Sequence, residues 1–265
     1  MRRALALIAL VLLGGCADWR SRWPGPDVVY APTPEGVAVE MLRLAGTGAG
    51  DVVYDLGSGD GRVVIAAARE FGALAVGVEI DPGLVQESRE AALAAGVAER
   101  VRILWQDLFA TPLVDATVVT LYLRDDVNLR LRPKLLRELR PGARIVSHDF
   151  GMGDWVPDVT RRVRGPLRDH RLHLWIVPAD AAGAWVGQLG TTPLGLTLEQ
   201  TLQRVEGTAR IADRATALRD GRLRGADISF QAAGWRFAGR VAGDAIAGRA
   251  SNGSTDVEWS VRRQR

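Results

Sequence analysis

The chain has 265 residues, enough for one or two domains at about 150 residues each. It is 47% hydrophobic and 25% charged, which excludes wholesale disorder. The isoelectric point of 9.6 overstates its basicity: the net charge is only +3, with residues 16–180 summing to −3 and residues 181–265 to +4. With no basic run longer than Arg161-Arg162-Val163-Arg164, nucleic acid is not the expected partner, because such a face needs clustered charge.

In chain order, Arg2 and Arg3 precede an apolar stretch over residues 4–13, then Gly14, Gly15 and Cys16. A basic head, a short apolar segment and small residues describe a secretory signal over residues 1–15. The segment falls well short of the about 20 residues that span a bilayer. Leu13-Gly14-Gly15-Cys16 resembles the lipobox of bacterial lipoproteins, which implies lipidation at Cys16 and a membrane-anchored place in the cell envelope. Ala17, in place of an inner-membrane retention aspartate, points to the outer membrane or its periplasmic face. Cys16 is the only cysteine, so disulfides within the chain and cysteine metal clusters are excluded. Residues 16–30, with Trp19, Trp23, Pro24 and Pro26, read as a tether.

Residues 31–180 alternate apolar runs with amphipathic stretches, the pattern of βαβ units around a parallel sheet. Strands are predicted at 52–56, 74–79, 101–105, 116–121 and 143–147, and helices at 34–45, 61–71, 82–95 and 126–139. Thr33 is read as the first helix's N-cap, with Pro34 at its first position. Pro133 is expected to kink or restart the last helix. Beyond residue 181, short alternating segments separated by glycine replace the helical spacing, as in Leu196 to Val205 and Trp235 to Val241. Gly221-Arg222-Leu223-Arg224-Gly225 and Gly239-Arg240-Val241-Ala242-Gly243 repeat at an 18-residue offset. That suits successive hairpins of an antiparallel meander or small barrel.

The chemistry is concentrated in the first βα turn. Val52-Val53-Tyr54-Asp55-Leu56 runs into Gly57-Ser58-Gly59-Asp60-Gly61, a turn whose glycines let a ligand approach the backbone beside a helix N-terminus. The spacing is not the dinucleotide fingerprint G-x-G-x-x-G, which argues against a nicotinamide-linked oxidoreductase. Asp55 would repel a pyrophosphate but suits a cationic ligand. Glu79, ending the second strand, is placed to accept from ribose hydroxyls; Asp107, after the third, could accept from an adenine amino group. Tyr122, closing the fourth strand, is the first candidate for lining an acceptor channel, and Thr33 at a helix start could meet a ligand carboxylate. His148 and Asp149 are read as lying beyond strand five, near the acceptor entrance. His170 and His173 show H-x-x-H spacing without an evident third ligand, so no metal is expected.

Asp55, Gly57, Gly59 and Gly61 match the D-x-G-x-G-x-G motif of the class I S-adenosylmethionine-dependent methyltransferases, which this chain resembles over residues 31–180. The resemblance implies an α/β fold, a Rossmann-like sheet with helices on both faces, here followed by a small antiparallel β module at residues 181–265. It implies S-adenosyl-L-methionine as cofactor, with Asp55 at the methionine amino group, Glu79 at the ribose and Asp107 at the adenine, and Ser58 and Leu108 beside them. Tyr30-Ala31-Pro32-Thr33-Pro34, Asp107-Leu108-Phe109, Leu135-Leu136-Arg137-Glu138-Leu139 and Ala143-Arg144-Ile145-Val146-Ser147 look like bacterial relatives of the protein-lysine methyltransferases of mitochondrial membrane proteins. A lysine of a protein is the acceptor this implies. The [N/D]-P-P-[Y/F] sequence of many adenine and cytosine amino-methyltransferases is missing after the fourth strand. Because the cofactor is made in the cytoplasm and the N-terminus addresses the chain outward, the alternative is a non-catalytic envelope lipoprotein that binds a nucleoside-like ligand and takes a partner through its β module.

Overall fold

The computed structural model describes residues 28–264. The signal, Cys16 and most of the expected tether lie outside the described residues. Within them, no helix is long and apolar enough to cross a membrane.

The first half alternates as the hydrophobic pattern demands: α1 (Glu35–Ala45), β1 (Val52–Leu56), α2 (Arg62–Phe71), β2 (Leu74–Glu79), α3 (Pro82–Ala94), β3 (Val101–Trp105), β4 (Val118–Leu121), α4 (Asp125–Glu138) and β5 (Arg144–His148). A hairpin follows, of β6 (Val159–Arg164) and β7 (Asp169–Ile176). The sheet order is β3-β2-β1-β4-β5-β7-β6; β1 to β5 are mutually parallel, and β7 runs antiparallel to both neighbours. Alternate residues of each strand feed opposite layers. Val53, Ala75, Ile103, Val118 and Val146 pack under α1, α2 and α3, whereas Leu56, Leu121, Ile145 and Trp175 pack against α4 and the loop residues Leu113, Met152 and Trp155. The C-termini of the parallel strands β1 to β5 therefore open at one edge, where ligands of such sheets bind.

Three local expectations are corrected. Pro34, not Thr33, is the N-cap of α1, and no side chain caps that end. Proline's fixed φ suits it there, and its carbonyl takes the amides of Val37 and Ala38. The restart expected at Pro133 does not occur, since that residue lies inside α4. Its opening turn instead carries Asp125 and Asp126, favourable charges at a helix start. His148 is the last residue of β5 and fully buried, not beyond the strand.

The second half is all strand: β8 (Gly183–Leu189), β9 (Thr192–Thr201), β10 (Arg204–Ile211), β11 (Arg214–Ala217), β12 (Arg219–Arg224), β13 (Asp227–Ala232), β14 (Trp235–Ala242), β15 (Ala245–Ser251) and β16 (Asp256–Arg263). Each pairs antiparallel with its sequence neighbour or across a bulge, and β16 returns to β8 while β9 pairs with β10, so the sheet closes into an up-and-down barrel. β11 and β12 act as one strand broken by a bulge, at which Asp220 takes a left-handed conformation. The stretch read as one segment from Leu196 to Val205 is a hairpin, turning at Leu202 and Gln203. Closure leaves no edge and fills the interior with Trp185, Leu196, Phe230, Phe237, Ile246 and Trp259. The repeated glycines have two different tasks. Gly225 and Gly243 sit in hairpin turns, whereas Gly221 and Gly239 are strand-interior kinks: a Cβ would fall 2.0 Å from the Val205 carbonyl oxygen at the first and 2.6 Å from the Trp259 ring at the second.

The barrel is tied to the open sheet through the segments just before β6 and just after β7. Arg222 donates to Asp158 at 2.7 Å, Gln203 to the Val156 carbonyl at 2.6 Å, and Ala179 N–H to the Gly225 carbonyl at 2.8 Å. The second oxygen of Asp158 accepts from the Ile176 amide at 2.8 Å.

Candidate active site

A cavity of about 370 Å³ opens at the C-terminal edge of β1, β2 and β4, within the size range of small-molecule sites. Asp55, Gly57, Ser58, Gly59, Glu79, Asp107, Leu108, Tyr122 and Thr33 all line it. Gly61 is not among its lining residues. It is the N-cap of α2 with φ 81°, and a Cβ there would lie 2.1 Å from Ser88 Oγ on α3, so its smallness serves helix packing behind the turn.

Asp55, next to last in β1, is almost fully buried. Thr120 Oγ1 donates to its carboxylate at 2.6 Å, yet burial dominates and, with the Glu79 and Asp60 charges, pushes its pKa up to about 7. A buried carboxylate poised to ionise is a strong receptor for a cation. Glu79 closes the turn: one oxygen accepts the Gly59 amide at 2.8 Å, the other the amides of Ile80 and Asp81 at 2.8 and 2.9 Å. Three amides thus orient a carboxylate at the lip of the cavity. Asp107 holds its own loop by accepting the Phe109 amide at 2.8 Å, and Arg130 covers the Phe109 ring at 4.4 Å. The Ser58 hydroxyl is buried without a hydrogen-bond partner among the described residues and packs over Gly77.

The sequence reading missed the segment that roofs the turn. Tyr30 lies so close over Gly59 that a Cβ there would come within 2.6 Å of its ring. Asp60 interacts with the Tyr30 side chain, and burial together with that carboxylate raises the phenol's pKa. Arg62 then forks: it pairs with Asp60 and donates from Nη1 to the Thr33 carbonyl at 2.9 Å. The motif Tyr30-Ala31-Pro32-Thr33-Pro34, seen as a resemblance, is therefore a strap over the site. The signal that could have assigned it was Asp60 and Arg62, charged residues flanking Gly61 with no helical reason to alternate.

At the acceptor side, the Tyr122 ring stacks on His148 with centroids 3.9 Å apart. His148 Nδ1 lies 3.1 Å from Thr33 Oγ1 and Nε2 lies 2.8 Å from His170 Nδ1. Burial drives the His148 pKa down to about 4 despite Asp149. Against its own burial, Asp149 is held down to about 2 by Arg168 and the Arg171 amide. His170 and His173 do not converge: positions three apart on a strand face opposite sides, and His173 pairs with Thr160 at 2.9 Å.

An open sheet ordered 3-2-1-4-5-7-6 with an antiparallel seventh strand, and a glycine turn between acidic strand ends, define the class I S-adenosylmethionine-dependent methyltransferases. The ANTKMT methyltransferase domain profile matches residues 55–159. The chain is 41% identical over 153 residues to a protein-lysine N-methyltransferase of Saccharolobus islandicus, covering 57% of this chain and 95% of that protein. It is 41% identical over 105 residues to the adenine nucleotide translocase lysine N-methyltransferase of Mus musculus, spanning 46% of that protein's length and 40% of this chain. A solved structure described as an RNA methyltransferase from Salinibacter ruber, in complex with S-adenosyl-L-homocysteine, is 50% identical, with a TM-score of 0.54 over 57% of this chain and 95% of that one. The chain belongs to the methyltransferase family of these relatives, and its cofactor is S-adenosyl-L-methionine. The buried Asp55 carboxylate, the glycine turn and the cavity volume fit that group.

Proposed function

We propose that this chain methylates the side-chain amine of lysine in a protein acceptor. The observation carrying the reading is the 41% identity over 95% of the S. islandicus protein-lysine enzyme, joined to a cavity whose walls are acidic. When bound, S-adenosylmethionine supplies an electrophilic methyl group on a sulfonium. Asp55 would hold the cofactor's ammonium end and Glu79 its ribose, so that the bound cofactor is positioned from both ends. Tyr122 forms the wall past which the acceptor enters. The lysine would have to arrive as the free amine, and the proton it sheds on methylation would pass to solvent. The buried, strapped cavity removes water from the nucleophile, strengthening each electrostatic contact within.

An RNA acceptor is the second reading, favoured by the description of the Salinibacter relative. Against it stands the net charge of −3 over residues 31–180, since nucleic-acid affinity is built on neutralising phosphates. Incubation with methyl-labelled cofactor and whole-cell extract, split by protease and ribonuclease, decides between them. Protease-sensitive label recovered as methyllysine supports the protein reading; ribonuclease-sensitive label alone refutes it. We also propose, from the residues up to Cys16, that the enzyme is lipid-anchored in the envelope. Detergent partitioning of wild type and Cys16→Ala tests this; an equally soluble pair overturns it. A chain that binds cofactor but labels nothing in any fraction would instead be the non-catalytic lipoprotein.

A further inference from the structure

The end of β5 and the start of β7 bring together a group of side chains that the methyl-transfer site does not use. We propose that His148 Nε2, His170 Nδ1 and Asp149 Oδ2 form a site for a divalent transition metal, of which Zn²⁺ is the best match, directly behind Tyr122. The separations are 2.8 Å between the two ring nitrogens, 3.4 Å from His148 Nε2 to the carboxylate oxygen and 3.6 Å from His170 Nδ1 to that oxygen. Three ligands at about 2.0–2.1 Å from a tetrahedral ion stand about 3.3 Å apart, a value these three edges bracket. Two imidazoles and one carboxylate are a donor set of intermediate softness, suited to Zn²⁺, Fe²⁺ or Co²⁺ rather than to Mg²⁺ or Ca²⁺.

Two of the three ligands are oriented by a second contact, as metal ligands are. His148 Nδ1 meets Thr33 Oγ1 at 3.1 Å, which leaves Nε2 for the ion. The other oxygen of Asp149 accepts the Arg171 amide at 2.7 Å. Asp149 itself has φ 64°, a left-handed conformation that a non-glycine residue adopts at some cost and that turns its carboxylate back onto the two rings. The side chains of His148 and His170 are 0% and 6% exposed, and that of Asp149 is 14% exposed. The trio is thus nearly dry with one wet side. From that side Arg168 Nη2 reaches Asp149 Oδ2 at 2.5 Å. This guanidinium, itself half exposed, is the cation that an ion would share the oxygen with or displace. Because His148 stacks on Tyr122, occupancy would stiffen the acceptor wall while leaving the Asp55 end of the cavity untouched.

The test is titration of the full-length protein, stripped by a chelator, with Co²⁺ followed by visible absorption, then displacement by Zn²⁺. Wild type should bind one equivalent at micromolar or tighter affinity, with the intense bands of a four- or five-coordinate ion. His170→Gln and Asp149→Asn should each weaken this about 100-fold, the upper end of what loss even of a supporting group costs. Arg168→Gln, at an exposed position, should tighten it, and His173→Gln should leave it unchanged. S-adenosylmethionine binding, measured in parallel, reports whether each variant is folded. Wild type showing no saturable Co²⁺ spectrum up to millimolar ion would overturn the site, as would folded His170→Gln and Asp149→Asn titrating like wild type. Should the ligand variants fail to fold, the wild-type and Arg168→Gln titrations decide alone, weaker binding by Arg168→Gln counting against the site.

Discussion

Asp55 makes cofactor affinity depend on pH in a way that can be worked out beforehand. Burial raises its pKa from 3.8 to about 7, while Thr120 pulls the other way. The cofactor's ammonium end binds the carboxylate, not the acid, so binding must remove any proton present. At pH 6 only about a tenth of the free protein carries an ionised Asp55, so affinity should be about 10-fold below its plateau, or about 1.4 kcal/mol. Binding there should release close to one proton. Above pH 8 the cofactor's own α-amino group begins to lose its charge, so the informative window is pH 5.5 to 7.5. Calorimetry in two buffers of different ionisation enthalpy measures both affinity and proton release. Thr120→Val removes the hydrogen bond that favours the carboxylate, so it should move the whole profile to higher pH. Asp55→Asn should bind more weakly with no dependence left in this window. The linked stability runs in the opposite direction. A carboxyl whose pKa is raised on folding stabilises the ligand-free protein below the unfolded value, and that advantage is lost as pH rises through about 7. The ligand-free melting temperature should fall over that interval and the cofactor should restore it. A wild-type affinity flat from pH 5.5 to 7.5, or a slope that survives in Asp55→Asn, refutes the assignment.

Three further outcomes are expected. Gly61→Ala should destabilise the fold by about 2–3 kcal/mol in urea unfolding, from its left-handed φ and the Ser88 overlap, with Ser88→Ala recovering part of the loss. Tyr122→Phe keeps the ring stack on His148 and should change kcat more than cofactor affinity, whereas Tyr122→Ala should raise the acceptor's KM; steady-state kinetics separates the two. Asp158→Asn weakens the Arg222 contact while keeping the side chain's size. Calorimetric melting should then show the sheet and the barrel uncoupling into two transitions, with labelled methyl transfer per folded molecule reduced.

Much of the catalytic half was readable because its determinants are local. Strands β1 to β3 fall at the predicted positions, since each is an apolar run bounded by a turn signal. Asp55, Glu79 and Asp107 gather because strand ends of a parallel sheet share one edge, a consequence of topology that needs no side-chain detail. Thr33 was misread for the opposite reason. A cap is decided by competition, and here the Pro34 carbonyl takes the helix's first amides in place of a side chain. The barrel was legible only as a meander. Its closure depends on β9 meeting β10 while β16 meets β8, and the latter pairing joins segments far apart in the chain.

The histidines show the same limit most sharply. Spacing along the chain joined His170 to His173, which a strand turns to opposite faces. Antiparallel pairing of β5 with β7, in a register that sets His148 opposite Leu172, is what carries His170 to His148 across 22 residues. A ligand search by spacing presumes that the ligands lie on one element or one loop. Here they come from two strands running in opposite directions, and Asp149 joins them only because its backbone turns left-handed at the strand end. Chemistry carried by the edges of β1 and β2 is therefore visible in linear sequence, whereas chemistry carried between β5 and β7 appears only once the register is known.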